Sequence, residues 1–495
     1  MAAETEVQGG QKQVAEQELE SFSNLLKKSF KPRNDRHATE VENAVSALVE
    51  QALADGSLVK EDVLDTLDSM IAQLDRKLSD QLNEIMHAPE FQKLESAWRG
   101  LKHVVFNSET DATLKIRVLN VSKDELKNMF KLYPGARWDQ SPLFKKVYGE
   151  EFDQLGGEPY GCLIGDYYFD QSPVDVGIMR EIAKTAAAAH APFFAAAAPS
   201  LLNLDSWRDL TKPRDLGKVQ DTPEFAAFRS LRDSDDARYM SLCMPRVLAR
   251  LPYGAKSEPV EEFGFEETTD GHQGEKYGWM NAAYAMACNI NRAYKEYGWT
   301  IRIRGVESGG TVENLPTHTF PTDDGGIDIK CPTEVAIGDR REGELSKLGM
   351  AALIHRKNTD KAAFIGAQSL YRPKKYVDDM ATASDNLSSR FTYMFAVSRF
   401  AHYLKVMVRD KIGSTKEKEQ LQKWLSEWIS KYVDPTPSLS DEKTKARRPL
   451  AGASIKVEED EENPGYYRTR IFLRPHYQLE GMDIGLSLVS KLKKE

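Results

Sequence analysis

Between Gly305 and Arg341 the chain gathers His318, Asp323, Asp324, Asp328 and Cys331, side-chain types that ligate metals or pass protons. Such chemistry needs a spacing that brings the groups to one point. No H-E-x-x-H, no calcium loop of the D-x-D-x-D-G kind and no G-x-S-x-G occurs here. Asp323-Asp324-Gly325-Gly326, set between Phe320 and Ile327, is instead the composition of a tight turn joining two strands. Phosphate chemistry fares no better. No G-x-x-x-x-G-K-[ST] is present, and Glu344 follows Gly338 and Gly343 where a phosphate-binding lysine is required. Cys162, Cys243, Cys288 and Cys331 form no C-x-x-C pair and read as buried free thiols of a reducing compartment. The expectation is therefore no catalytic, no cofactor-binding and no metal-ligating residues. An α/β enzyme with a site near His318 and Asp324 is the competing reading.

The elements that would have to position any site centre on residues 159–204. Cys162 to Asp170 is a short apolar and aromatic run of the kind buried on both faces. Ser172-Pro173-Val174-Asp175 supplies an N-cap, a proline at the first helical position and an acidic third residue, and the helix runs to about His190. Pro192 ends it, and Phe193 to Ala198 reads as a second buried strand. Strand, helix, strand is a βαβ unit, so a parallel sheet is the core. The expected fold class is α/β, with mixed β-sheet and flanking helices, preceded by an α-helical N-terminal region.

Other strands are expected at Thr113–Val121, Trp299–Val306, Glu334–Ile337, Met350–Ile354 and Ala362–Gly366. Ala237 to Pro252 reads only as apolar and proline-bounded, and residues 253–276 as an exposed acidic loop. Helices are expected after Ser122, over Thr222–Arg232, Tyr277–Glu296 and Arg341–Leu348, and as one long element from Asn386 to Ile412. Another surrounds Trp424 and Trp428. Ala453–Val457, Tyr466–Leu473 and Asp483–Leu492 close the chain as strands, whose free edges call for a neighbour.

The net charge is −9, of which −8 falls within residues 1–100. An acidic front end on a balanced body argues against nucleic acid as a partner. Met1–Gly10 is polar and unlike a secretory signal, and Ala186–Leu202 is too interrupted to insert in a membrane. After a polar start, Leu19, Phe22, Leu25, Leu26 and Phe30 lie on a short amphipathic helix, suited either to a partner's groove or to packing on its own body. Thr39–Leu53 is a second helix. A third, about Val59 to Met86, places Leu64, Leu67, Ile71, Leu74 and Leu78 on a narrow coiled-coil-like seam that suits a helix from another chain. Phe91, Leu94, Trp98 and Leu101 mark a fourth.

The body of the sequence resembles the large subunit of the contractile sheath of the bacterial type VI secretion system. The resemblance rests on Ile164-Gly165-Asp166-Tyr167 with Pro173 and Asp175, Ala186–Pro192, Leu251–Gly254, Ile303–Glu307, Leu315–His318, Lys330–Glu334, Ser398–Lys405 and Phe472–His476. It implies a contractile-tail-sheath-like core and a mechanical rather than enzymatic role in the bacterial cytoplasm. The implied partners are a small sheath subunit, neighbouring heterodimers joined by strand exchange, an inner tube, a baseplate and an AAA+ disassembly ATPase. A single-component phage-type tail sheath is the alternative. The resemblance assigns Leu19, Phe22, Leu25, Leu26 and Phe30 to ATPase docking and the Leu64–Leu78 seam to the small subunit. It assigns Arg470, Phe472, Ile484, Leu486 and Leu488 to inter-subunit strands, and Arg399, Lys405, Arg409 and Lys411 to the tube-facing surface. The implied layout is an arm over 1–36, a helical region over 37–110, a sheath body over 111–380 and a C-terminal sheath domain over 381–495.

Overall fold

Two units divide the chain: Met1–Gln92 with Leu251–Tyr277, and Lys93–Arg250 with Gly278–Glu495. The computed structural model describes residues 63–478 except 213, 214, 262, 323, 414–416 and 460–466, together with Thr39, Asn43 and Ala47.

In the first unit, α1 (Val63–Met86) is built from strong helix formers and ends just before Pro89. It is pinned to the 251–277 loop by a polar side chain. The Asn83 amide donates to the Glu266 carbonyl oxygen (3.0 Å), and its oxygen accepts from the Thr268 N–H (2.9 Å). The loop, irregular as expected, is tied by its own carboxylates. Glu267 accepts from the Tyr253 N–H (2.8 Å), and Asp270 accepts from Gly274, Glu275 and Lys276.

Along the second unit, α2 (Pro89–Phe106) enters from the first, and α3 (Lys123–Leu132) starts at a capping box. There the Ser122 N–H donates to Glu125 (2.7 Å) and the Glu125 N–H to Ser122 Oγ (3.2 Å). A wide π-type helix covers Lys145–Asp153. The βαβ unit follows as β1 (Leu163–Phe169), α4 (Pro173–Ala188) and β2 (Phe193–Ala197), with Ser172 and Pro173 starting the helix as the sequence requires. Next come α5 (Ala226–Arg232), β3 (Met240–Met244), β4 (Val247–Leu248), β5 (Trp279–Met280), α6 (Ala282–Tyr297) and β6 (Thr311–Val312). The hairpin β7 (Thr319–Pro321) and β8 (Ile327–Ile329) is followed by α7 (Asp339–Lys347), β9 (Met350–His355) and β10 (Ala362–Phe364). Last are α8 (Asp379–Ser388), α9 (Phe391–Arg409), α10 (Lys418–Ser430), α11 (Glu442–Arg447), β11 (Leu450–Glu459) and β12 (Tyr467–Pro475).

The main sheet has the order β1-β2-β3-β9-β10-β6, parallel through β9 and antiparallel at β10 and β6. Side chains alternate across it. Phe193, Ala195, Leu242, Met244, Met350 and Ala352 face Ile178, Met179 and Ile182 of α4. Phe194, Cys243, Ala351, Leu353 and Phe364 face the alanine-rich α6 and the start of α9. A separate core holds Trp299, Phe400, Trp428, Leu425, Ile455, Val457, Ile471 and Leu473, so α9 contributes its first half to the sheet core and its second half to the hairpin core.

Several expected boundaries move. Thr113–Val121 is irregular chain with no strand partner among the described residues; Ile116 packs near Val104 and Cys288, while Val118 and Leu119 stay exposed. Trp299–Val306 forms no strand, because Gly305 and Gly309 at positive φ turn the chain there, and the strand comes later as β6. A Cβ on Gly309 would lie 2.3 Å from the Arg302 carbonyl oxygen. At Glu334–Ile337 pairing stops at one bridge, Thr333 with Val247. Ala237–Pro252 contains the buried strand β3. The expected Asn386–Ile412 helix is broken into α8 and α9 at Ser389 and Arg390, where Arg390 is extended and bridges to Gln368. The helix expected from Tyr277 begins at Ala282, capped by Asn281, after Trp279 and Met280 have paired with β4.

Candidate assembly interface

In α1 the pattern of burial runs against the usual one. Ser79 and Asn83, on the loop-facing side, are buried, whereas Ile71 is 51% exposed and Leu78 48% exposed, with Ile85 exposed and Leu74 half-buried on the same stripe. Leu64 and Leu67 lie on this helix, but the side chains of residues 63–67 fall outside the described ones. A helix that turns a polar face inward and an apolar stripe outward leaves that stripe open among the described residues.

The helix α2 repeats the arrangement. Gly100 and Val104 are buried, and a Cβ on Gly100 would lie 2.2 Å from the Tyr284 ring, so α2 and α6 approach closely. Glu95 is held by Arg250 at 2.6 Å, a pair with little solvent access. On another face, Leu94 is 58% exposed and Trp98 66% exposed, with Val105 in line with them.

Towards the C-terminus, β11 and β12 pair antiparallel, Ile455 opposite Ile471 and Lys456 opposite Arg470. Those two strands therefore satisfy one edge of each other. Ile471 and Leu473 turn to the hairpin core; Arg470, bonded to Glu458 (3.3 Å), and Phe472, 65% exposed, turn outward. Ile484, Leu486 and Leu488 lie outside the described residues, as do Leu19, Phe22, Leu25, Leu26 and Phe30.

The four cations of the 399–411 stripe each have a partner within the chain. Arg399 stacks on Tyr403 (4.7 Å) and Tyr294 (5.9 Å). Lys405 pairs with Asp153 (2.8 Å) and sits 3.9 Å over the Phe152 ring. Arg409 donates to the Asp153 and Gln154 carbonyl oxygens, and Lys411 lies over Trp424 (5.6 Å). All four remain partly open to solvent.

The residues that might have formed a catalytic set are dispersed. Asp324 and Asp328 are exposed on the β7–β8 hairpin, Asp328 accepting from the Ile329 N–H (2.7 Å). His318 accepts at its backbone oxygen from the Lys330 N–H (2.7 Å). Cys331 Sγ lies 3.2 Å from Thr333 Oγ1. Among the described residues, no three His, Cys, Asp or Glu side chains converge as metal ligands, and no helix is long and apolar enough to cross a membrane.

Two family models cover most of the chain. The one described as EvpB/VC_A0108, tail sheath N-terminal domain, matches residues 68–371; the one described as EvpB/VC_A0108, tail sheath gpW/gp25-like domain, matches residues 380–492. A curated relative, the type VI secretion system sheath protein TssC1 of Pseudomonas aeruginosa strain PAO1, is 60% identical over 482 residues, 97% of each chain. The chain belongs to the type VI secretion tail sheath family. Among solved structures, the anti-feeding prophage baseplate aligns at TM-score 0.38 and 10% identity, over 77% of this chain and 84% of that one. The contracted helical sheath of the same prophage aligns at TM-score 0.30 and 12% identity, over 63% and 66%.

Sequence reasoning located the α1 stripe but gave the α2 face no residue-level role, although Leu94, Trp98, Leu101 and Val105 recur at the same three- and four-residue steps.

Proposed function

We propose that this chain is the large subunit of a two-component contractile sheath. It pairs with a small sheath subunit, and the heterodimers link by strand exchange into a helical tube around an inner tube seated on a baseplate. Contraction drives tube and spike through a target envelope, and an AAA+ ATPase dismantles the spent sheath in the bacterial cytoplasm. The role is mechanical, with no turnover of a small molecule.

The observation that carries this reading is the outward apolar stripe of α1, in a chain 60% identical to a protein described as a type VI sheath protein. Each large apolar side chain that becomes covered contributes about 1.5–3 kcal/mol. Ile71, Leu78 and Ile85, each about half exposed, would contribute about half of that apiece towards a helix pair. Leu64, Leu67 and Leu74 are assigned to the same seam. The outer side of β12, with Arg470 and Phe472, and the segment bearing Ile484, Leu486 and Leu488 are assigned to strand exchange. Leu19, Phe22, Leu25, Leu26 and Phe30 are assigned to the ATPase. Arg399, Lys405, Arg409 and Lys411 are assigned to the inner tube, to which they would present charge already anchored from behind.

The test is co-expression with the small subunit followed by negative-stain microscopy. Tubular polymers should form with the small subunit and not without it. Polymers from this chain alone would favour the single-component phage-type sheath, and absence of polymers in both cases would refute the proposal. Leu78→Asp with Ile71→Asp should abolish co-purification of the two subunits while leaving this chain folded. Charge reversal at Arg399 and Lys405 should weaken retention of the inner tube.

A further inference from the structure

β12 ends at Pro475, and the chain that leaves it is pinned at both His476 and Gln478. The His476 N–H donates to the Pro449 carbonyl oxygen (3.3 Å), and its Nε2 lies 2.9 Å from the Arg448 carbonyl oxygen. A carbonyl oxygen only accepts, so Nε2 carries the hydrogen. These bonds reach only the residues that lead into β11, the strand with which β12 already pairs. Gln478 reaches elsewhere. Its N–H donates to the Tyr393 hydroxyl (3.0 Å), its Oε1 accepts from Arg304 Nε (2.9 Å) and its Nε2 donates to the Ile301 carbonyl oxygen (3.1 Å). Both ends of the side-chain amide thus meet partners of the matching kind, and the bond from the buried Arg304 guanidinium, being charge-assisted, is the strongest of the three.

None of these three partners belongs to the hairpin. Ile301 and Arg304 lie on the loop between α6 and β6, which is fastened to the main sheet. There the Gly305 N–H donates to the Phe364 carbonyl oxygen (2.7 Å), and the Phe364 N–H to that of Gly310 (3.0 Å). Ile303, between Ile301 and Arg304, is fully buried in the same core as Phe364. Tyr393 stands in the first half of α9, beside Phe391, Met394 and Phe395 of that core. Gln478 therefore joins the outgoing chain to the main sheet directly, without passing through the β11–β12 pair.

Leu450 opposite Pro475 is the open end of that pair. A pull on the chain beyond an unclamped open end separates antiparallel strands rung by rung from that end. We propose that Gln478 is a positioning residue for assembly. It clamps the chain to the 301–310 loop and α9, so that a neighbour engaging the segment with Ile484, Leu486 and Leu488 draws on the main sheet and does not peel β12 from β11. This role rests on the assignment of that segment to strand exchange, and Gln478 acts through Arg304, Ile301 and Tyr393, not by touching the neighbour.

The experiment uses the full chain co-expressed with the small subunit, as wild type, Gln478→Ala and Gln478→Glu. Hydrogen–deuterium exchange on the soluble heterodimer reads the clamp. In Gln478→Ala, peptides covering Ile471–Arg474 should exchange at least about tenfold faster, while those from β2 and β3 keep their wild-type rates. Gln478→Glu keeps an acceptor for Arg304 and should restore most of the protection. Pelleting with negative-stain microscopy reads assembly. Gln478→Ala should yield at least about fivefold fewer tubes from the same amount of heterodimer, and Gln478→Glu should recover most of them. Unchanged exchange at the open end, acceleration spread evenly over both cores, undiminished tubes from Gln478→Ala, or a Gln478→Glu chain no better than Gln478→Ala would each overturn the clamp. Absence of tubes from wild type would instead refute the sheath reading, and this role with it.

Discussion

His402, in the middle of α9, should make the stability of this chain fall in mildly acidic solution. Its Nε2 donates to the Ala189 carbonyl oxygen (2.9 Å), while Nδ1 is buried with no hydrogen-bond partner, and the ring lies 5.4 Å from that of Phe152. Protonating Nδ1 would create a buried N–H without an acceptor. Burial, reinforced by Arg399, His190 and Lys405 and opposed by the bond to Ala189, holds His402 down to about 4. The unfolded chain takes up its proton near 6.5, before the folded one. The contribution is therefore fully present above about pH 6.5, is lost as pH falls towards 4, and is constant below. At about 1.4 kcal/mol per pKa unit the loss is about 2 kcal/mol between pH 7.5 and 5, and about 3 kcal/mol in full. His190, also lowered by burial and by Lys405, acts in the same direction, so the comparison must be with a variant that changes His402 alone. His402→Gln keeps an N–H for Ala189 and cannot titrate. In urea unfolding followed by tryptophan emission, wild type should lose about 2 kcal/mol more than the variant between pH 7.5 and 5. Equal losses would refute the assignment of the buried neutral imidazole.

Phe400→Ala should cost about 3–5 kcal/mol, because its ring is enclosed by Trp299 (4.6 Å), Tyr432 (5.7 Å) and Trp428 (6.0 Å); a lowered urea midpoint measures it. Asp385 accepts from Arg238 (2.7 Å), from Tyr371 (3.0 Å) and from the Lys374 N–H (2.7 Å). Asp385→Ala strands these donors and should cost about 3 kcal/mol by the same measurement. Gly349→Ala should destabilise by about 1–3 kcal/mol, since φ is +86° and the new Cβ would lie 2.9 Å from Leu370 Cα. Gly343→Ala, inside α7 with open space around it, should instead gain about 0.5–1 kcal/mol, and paired thermal melts should show opposite signs.

What could be read from the sequence was whatever local chemistry decides. The β1-α4-β2 unit was legible because β2 is continuously apolar and buried and Ser172 and Pro173 cap the intervening helix at short range; β1, expected to be buried on both faces, is instead a half-buried edge strand with Asp166 exposed. The β7–β8 turn was legible for the same reason. Thr113–Val121 misled because alternation reports that one side is covered, as Ile116 is, and says nothing about whether a strand lies alongside. The α8–α9 break was hidden because it is made from outside the helix. Gln368 bridges to Arg390 and donates to Ser389 Oγ (2.8 Å), contacts with no trace in local spacing. The same limit applied to the apolar stripe of α1: spacing gave its positions, but only burial showed that Ser79 and Asn83 occupy the inner side and that Ile71, Leu78 and Ile85 are exposed among the described residues.

That distinction bears on how the chain would transmit force in the contractile sheath proposed above. Phe391, Met394 and Phe395 anchor the first half of α9 in the sheet core, Phe400 and Leu404 anchor the second half in the hairpin core, and His402 with Lys405 ties its middle to Ala189 and Asp153. A helix packed so continuously cannot bend without opening one core or the other, at several kcal/mol for each large side chain exposed. Displacement applied at the β11–β12 hairpin should therefore pass to the sheet as motion of one piece. Under the contractile role proposed above, a lattice of such chains would change shape where they join, while the interior of each would be carried along unchanged.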